Sequence, residues 1–169
     1  MKTQTLLKKN VEWLIFIVLL IAISACASSS NVVDHAFGFD TRKDGQDAVV
    51  LDYRYGDSKL PVRAPEWAVK EGKTFVSNGV QGPMRKGESL YVKWRNTATG
   101  HVYEDTVDLR QRLPADITDH TIYFVIHGAQ LYVYLISPEN VASAADKPDY
   151  GPRIYRNRKI ITIYPDHLN

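Results

Sequence analysis

From residue 47 onward, apolar and polar residues alternate far more often than they recur at helical spacing, and the alternating positions are rich in Tyr, Val and Ile. Such residues suit a pleated, half-buried surface. In Val49-Val50-Leu51-Asp52-Tyr53-Arg54-Tyr55, one face carries Val49, Leu51, Tyr53 and Tyr55 and the other Asp52 and Arg54, which predicts a first strand stopped by Gly56-Asp57. A second unit runs from Glu88 to Leu109, two strand-like runs around the turn residues Asn96-Thr97-Ala98-Thr99-Gly100. If Trp94 faces Tyr103, Lys93 meets Glu104 and Leu90 meets Val107, giving an aromatic, an ionic and an aliphatic pair in one register. The same register sets Asp105 opposite Val92, which requires a bulge, a slipped register or an acidic group on an apolar face.

The third unit, Thr121 to Ile136, is a hairpin around Gly128-Ala129, with glycine at the first central position as a type II′ turn requires. A two-residue loop pairs His127 with Gln130, Ile126 with Leu131, Val125 with Tyr132, Phe124 with Val133, Tyr123 with Tyr134 and Ile122 with Leu135. One face, Ile122, Phe124, Ile126, Leu131, Val133 and Leu135, is that of a core. The other presents Tyr123, Tyr132, Tyr134 and His127, either covered by another layer or forming an aromatic contact surface. This second face is the candidate binding face.

The remaining segments are less regular. Asp44-Gly45 marks a turn in the polar stretch Asp40 to Asp47. Pro61, Pro65, Gly72, Gly79, Gly82, Pro83 and Gly87 punctuate an irregular connection with one short strand near Lys73 to Ser77, a natural place for a binding surface. Glu139 to Ala145 is a candidate helical turn, and Lys159 to Tyr164 a last strand stopped by Pro165. Together these predict a mainly β domain: an antiparallel β-sandwich or partly open barrel with at most one short helix.

Ahead of this domain stand Lys2, Lys8 and Lys9, an apolar run from Trp13 to Ile23, and the residues Ser24-Ala25-Cys26. The run matches a signal-peptide core and falls short of the roughly 20 apolar residues that a spanning helix needs. Ile23-Ser24-Ala25-Cys26 resembles the lipobox of bacterial lipoproteins. That resemblance implies diacylglyceryl transfer to the Cys26 sulfur, cleavage between Ala25 and Cys26, acylation of the new N-terminus by fatty acids such as palmitate, and durable membrane attachment, because more than one acyl chain is present. Ala27, rather than an acidic residue, after the cysteine implies transfer to the outer membrane, facing the periplasm, in a host with two membranes. The division expected is residues 1–25 as signal peptide, 26–46 as lipidated cysteine and flexible tether with the Ser28-Ser29-Ser30 run, and 47–169 as a single β-rich domain.

Removing the 25-residue signal from the 169-residue chain leaves 144, close to the commonest size for one domain. Setting aside Lys2, Lys8, Lys9 and Glu12 leaves 18 basic and 18 acidic residues, so the mature chain is neutral and offers no field for nucleic acid. The one local exception is Arg153, Arg156, Arg158 and Lys159, read as a charged solvent face or edge-strand protection in preference to the alternative, an anionic-partner site. Cys26 is the only cysteine, so with its sulfur acylated the domain has no disulfide, thiol nucleophile or thiolate ligand.

Catalytic patterns are absent. There is no Gly-x-Ser-x-Gly elbow, phosphate-cradling glycine loop, His-Glu-x-x-His helix or calcium loop. Asp34-His35, Asp119-His120 and Asp166-His167 read as polar residues at ends and turns, and adjacent residues on an extended chain face opposite ways. His101, Tyr103 and Asp105 share a face, but His101 and Asp105 lie roughly 13 Å apart at about 3.3 Å per residue. A metal site would need further ligands such as His127 or Glu104. No catalytic residue, metal or cofactor is therefore assigned, although Asp105, Glu104 and His101 are the nominees if an acid–base enzyme acting on cell wall, glycan or lipid were built here.

The run Gly87-Glu88-Ser89-Leu90-Tyr91-Val92-Lys93-Trp94-Arg95, then Leu113-Pro114 and the last strand, is similar to small lipoproteins that neutralise toxins delivered by bacterial secretion systems. The resemblance implies a toxin acting in the envelope as the partner, bound by surface loops. The functional expectation is a non-enzymatic protein-binding module held to a membrane through Cys26, with a structural or accessory role in an envelope assembly as the alternative.

Overall fold

The computed structural model describes residues 32–141, 148 and 150–166. The expected signal peptide, residues 1–25, and the part of the expected tether from Cys26 to residue 31 lie outside them. Among the described residues eight strands form two sheets: β1 (Val32–Asp40), β2 (Ala48–Tyr55), β3 (Ser77–Arg85), β4 (Ser89–Asn96), β5 (Val102–Asp108), β6 (Thr121–His127), β7 (Gln130–Asn140) and β8 (Arg158–Tyr164). The larger sheet has the order β3-β1-β6-β7-β8 and the smaller β2-β4-β5. Their inner faces enclose one core, as in a β-sandwich. All neighbouring strands are antiparallel except β1 and β6, which run parallel over Ala36–Gly38. One α-helix, α1 (Glu66–Lys70), and a 3-10 turn at Arg153–Tyr155 are the helical elements among the described residues.

Both predicted hairpins form in the predicted register. On β4 and β5, Trp94 pairs with Tyr103, Lys93 with Glu104 and Leu90 with Val107, and Asp105 does stand opposite the buried Val92. That pairing has no slip or bulge, so the chain places a carboxylate on the inward face of an edge strand. On β6 and β7 every predicted pair from Ile122–Leu135 to His127–Gln130 is present. Gly128 has φ +60° whereas Ala129 does not adopt a positive φ, as a type II′ turn requires.

Several readings are corrected. Residues 32–40, assigned to the tether, form β1 near the middle of the larger sheet, where Phe37 and Phe39 are each 1 % exposed. Gly38 disguised this strand, yet it is required: a Cβ there would lie 2.7 Å from the Asn78 carbonyl oxygen. The connection read as irregular holds α1 and the nine-residue β3, whose Gly79, Gly82 and Pro83 are tolerated because β3 is an edge strand. Phe75, in the segment expected as a short strand, makes only an isolated bridge to Val50. In β2 a register shift between Val50 and Asp52 reverses the expected parity, so Val50 rather than Val49 or Leu51 enters the core alongside Tyr53 and Tyr55. The candidate turn from Glu139 begins as the end of β7, and residues 142–147 lie outside the described ones.

The core between the sheets is strongly aromatic. Phe37 stacks on Tyr55 at 5.0 Å and Phe39 on Phe124 at 4.5 Å. Trp94 reaches from β4 to the β6–β7 turn, its indole N–H donating to the Gly128 carbonyl at 3.1 Å. A second cluster, Tyr123, Val125, Tyr132, Tyr134 and Ile136, lies on the outer face of β6 and β7, with Tyr155 and Ile160 packed against it.

Candidate functional site

The alternation on β6 and β7 that builds the core face also turns Tyr123, Tyr132 and Tyr134 outward, and the fold then covers them. They are 2, 7 and 1 % exposed. Tyr155 packs edge-on to Tyr123 at 5.3 Å and Tyr150 lies 5.1 Å from Tyr132. The tyrosine face is therefore corrected from a contact surface to a second apolar layer. Of its four residues only His127 is exposed, and its ring lies 4.3 Å from that of Tyr150.

Beneath this layer sits a buried polar junction. Asp44, in the turn after β1, accepts the Tyr123 hydroxyl at 2.8 Å on one carboxylate oxygen and the Arg153 backbone N–H at 2.8 Å on the other. Burial raises the Asp44 carboxyl above its ordinary value, with these hydrogen bonds opposing it. Burial, followed by the Asp44 charge, raises the Tyr123 phenol. The Asp44-Gly45 pair was legible as a turn, but its junction with Tyr123 and Arg153 spans 79 and 109 residues of sequence and left no local signal.

At the same end of the sandwich, the Asp44–Asp47 turn, Asn96 at the end of β4, the His127–Gly128 turn and the segment Tyr150–Arg153 converge on a cleft of about 400 Å³. Each wall is fixed locally. Asp40 accepts the Arg42 and Lys43 N–H groups, and Asn96 accepts those of Ala98 and Thr99, so both turns are closed by their own side chains. Gly45, at φ +66°, leaves room for the Arg153 guanidinium, which a Cβ would meet at 2.9 Å. The Gln46 side-chain oxygen Oε1 accepts the Ile126 N–H at 2.7 Å, which settles the orientation of the amide and leaves its buried Nε2 without a hydrogen-bond partner among the described residues. Asp47, His127 and Arg153 stand exposed around this cleft. The arrangement presents donors, acceptors and an aromatic ring on a rigid loop platform, which suits recognition.

The acid–base nominees do not converge. Glu104 accepts the Tyr91 hydroxyl at 3.1 Å and pairs with Lys93 at 3.4 Å. Asp105 accepts the Thr106 N–H at 2.7 Å, and its carboxylate, acting on the phenol of Tyr164 from β8, is the foremost cause of the raised Tyr164 pKa. The His101 imidazole Nδ1 lies 3.5 Å from the Tyr103 hydroxyl. Asp34-His35 is also corrected, because it lies within β1 and not at an end, with His35 fully buried. Among the described residues no group of three or more His, Cys, Asp or Glu is placed to hold a metal ion, and no helix is long and apolar enough to cross a membrane.

No family model matches the chain, and neither a curated protein nor a solved structure matches it.

Proposed function

We propose that the chain is a lipid-anchored envelope lipoprotein whose β-sandwich acts as a non-enzymatic protein-binding module, facing the periplasm from the outer membrane in a two-membrane host. The observation that carries the binding reading is the loop-end cleft: turns from both sheets meet there, with His127, Arg153 and Asp47 exposed around it. A toxin acting in the envelope is the partner implied by the lipoprotein resemblance, and loop ends on a rigid scaffold are where such contacts concentrate. A neutral mature chain lowers the part played by long-range steering and leaves affinity to shape and local polar contacts.

The anchor is tested by Cys26→Ser, which should stay unprocessed or leave the membrane fraction; unchanged size and attachment would overturn it. For the binding surface, residues Ala27 to Asn169 should capture one near-stoichiometric envelope or secreted protein, and capture should be lost in His127→Ala with Arg153→Glu. Capture that survives both changes would move the interface elsewhere. Inhibition of the captured protein's toxicity distinguishes toxin neutralisation from an accessory role in an envelope assembly.

A further inference from the structure

We propose that the arginine cleft between the 3-10 turn and β8 seats the phosphates of anionic phospholipid headgroups, and so fixes how the tethered domain lies on its membrane. This rests on the lipoprotein reading for the tether and on the following geometry for the cleft.

Arg153, Arg156 and Arg158 line one cleft of about 570 Å³, with Asn140 and Asn157 between them, and among the described residues no carboxylate lines it. In a mature chain with equal numbers of basic and acidic residues, that is a local concentration of one sign. Arg42, Arg85, Arg110 and Arg112 are paired with Asp40, Asp57, Asp108 and Asp166, whereas Arg54, Arg63 and Arg95, outside this cleft, make no ion pair among the described residues. No ion pair among the described residues involves Arg153, Arg156, Arg158 or Lys159. Arg158 uses one N–H on the Pro138 carbonyl and keeps the rest of its guanidinium fork, whereas the Arg153 guanidinium packs against Gly45 within reach of the Asp44 charge, so the forks left for a ligand are those of Arg156 and Arg158. Planar forks without carboxylate partners match phosphate oxygens.

The position of the cleft identifies the source of phosphate. Strand β7 ends at Asn140, which pairs with Arg158 at the start of β8, and β1 runs parallel to β6 and so opposite to β7. Val32, the first residue of β1, therefore lies at the same end of the larger sheet as Arg158. The order β1-β6-β7-β8 separates the two by three strand spacings, about 15 Å. Residues 26–31 can span at most about 20 Å, so an acylated Cys26 holds this end of the domain against the headgroup layer. Ile154, 42 % exposed beside the arginines, supplies the apolar contact that accompanies basic residues at such a surface. Each basic residue near an anionic surface strengthens attachment about fivefold.

The test uses the acylated mature chain in nanodiscs of phosphatidylcholine, with or without phosphatidylglycerol, and a nitroxide on a minor headgroup species. Paramagnetic broadening of the Ile154 methyls and the Arg156 to Lys159 amides should be strong with phosphatidylglycerol and weak without it. It should fall severalfold in Arg156→Glu with Arg158→Glu and stay unchanged in Trp67→Ala, a change at an exposed side chain of α1. Equal broadening in both lipids, or no effect of the charge reversals in a chain whose amide spectrum shows the native fold, overturns the proposal. A response to inorganic phosphate without one to phosphatidylglycerol also overturns it. A chain that fails to stay with the nanodisc overturns the anchor instead, and titration with soluble dihexanoylphosphatidylglycerol then decides the cleft by whether the Arg156 to Lys159 amides shift.

Discussion

The imidazole of His35 and the hydroxyl of Tyr55 meet at 3.0 Å between β1 of one sheet and β2 of the other, both residues fully buried. The His35 Nδ1 lies 2.8 Å from the Val33 carbonyl, which can only accept, so Nδ1 carries the proton and Nε2 accepts from Tyr55. The Gly87 backbone N–H is directed at the same hydroxyl. This chain of donors and acceptors is complete only while His35 is neutral. Burial lowers the His35 pKa below 6.5, against the backbone hydrogen bond and the Asp34 charge that favour the proton. Below 6.5 the unfolded chain binds a proton that the folded chain refuses, so stability present above that pH is lost as pH falls towards the folded value. Urea midpoints between pH 7.5 and 5 should show this decline, and His35→Gln should flatten it. Tyr55→Phe, which leaves Nε2 buried without a donor, should cost about 1–3 kcal/mol at neutral pH.

Gly87 lies against the same ring. A Cβ there would fall 2.5 Å from Tyr55 Cε2, and the ring cannot retreat because Phe37 is stacked on it within 7° of parallel. Gly87→Ala should therefore cost about 1–3 kcal/mol as an overpacked core. Gly79→Ala, where a Cβ meets nothing within 4 Å, should be nearly neutral by thermal melting.

The Asp44–Tyr123 contact makes a second separable case. Tyr123→Phe removes a hydroxyl donating to a buried carboxylate and should cost about 1.5–3 kcal/mol. Because burial raises the Asp44 pKa, its charged form opposes folding, and that loss sets in as pH rises from 3.8 through the folded value. Asp44→Asn keeps one accepting oxygen for the Arg153 N–H, turns an NH2 donor towards the Tyr123 oxygen and removes the buried charge, so it should be less harmful than Tyr123→Phe at pH 7. Denaturation of the two variants side by side checks the order.

Asp105, on the edge strand of the smaller sheet, acts electrostatically on Tyr164, on the edge strand of the larger. Asp105→Asn should lower stability by less than about 1 kcal/mol and leave partner capture intact, since an amide oxygen still accepts the Thr106 N–H. Loss of an activity with unchanged stability would instead make Asp105 part of a reacting site.

Sequence alone was enough to determine the local pairings. Tyr, Val and Ile at alternate positions and turn residues at the right spacing give the β4–β5 and β6–β7 registers, because strand parity and turn length are set within a few residues. It failed where the deciding partner is distant in sequence. Strand β1 reads as tether until Asn78 explains why residue 38 must be glycine, and β3 reads as loop until its edge position excuses Pro83. Val50 displaced its neighbours from the core through a bulge that alternation cannot reveal. Whether Tyr123, Tyr132 and Tyr134 face solvent was likewise not decidable from β6 and β7 alone, because the residues that cover them, Tyr150 and Tyr155, follow much later in the chain. The tertiary structure decided these points for one physical reason. Exposure, buried hydrogen bonding and steric room belong to the packed assembly of segments, whereas pattern and turn chemistry belong to each segment by itself.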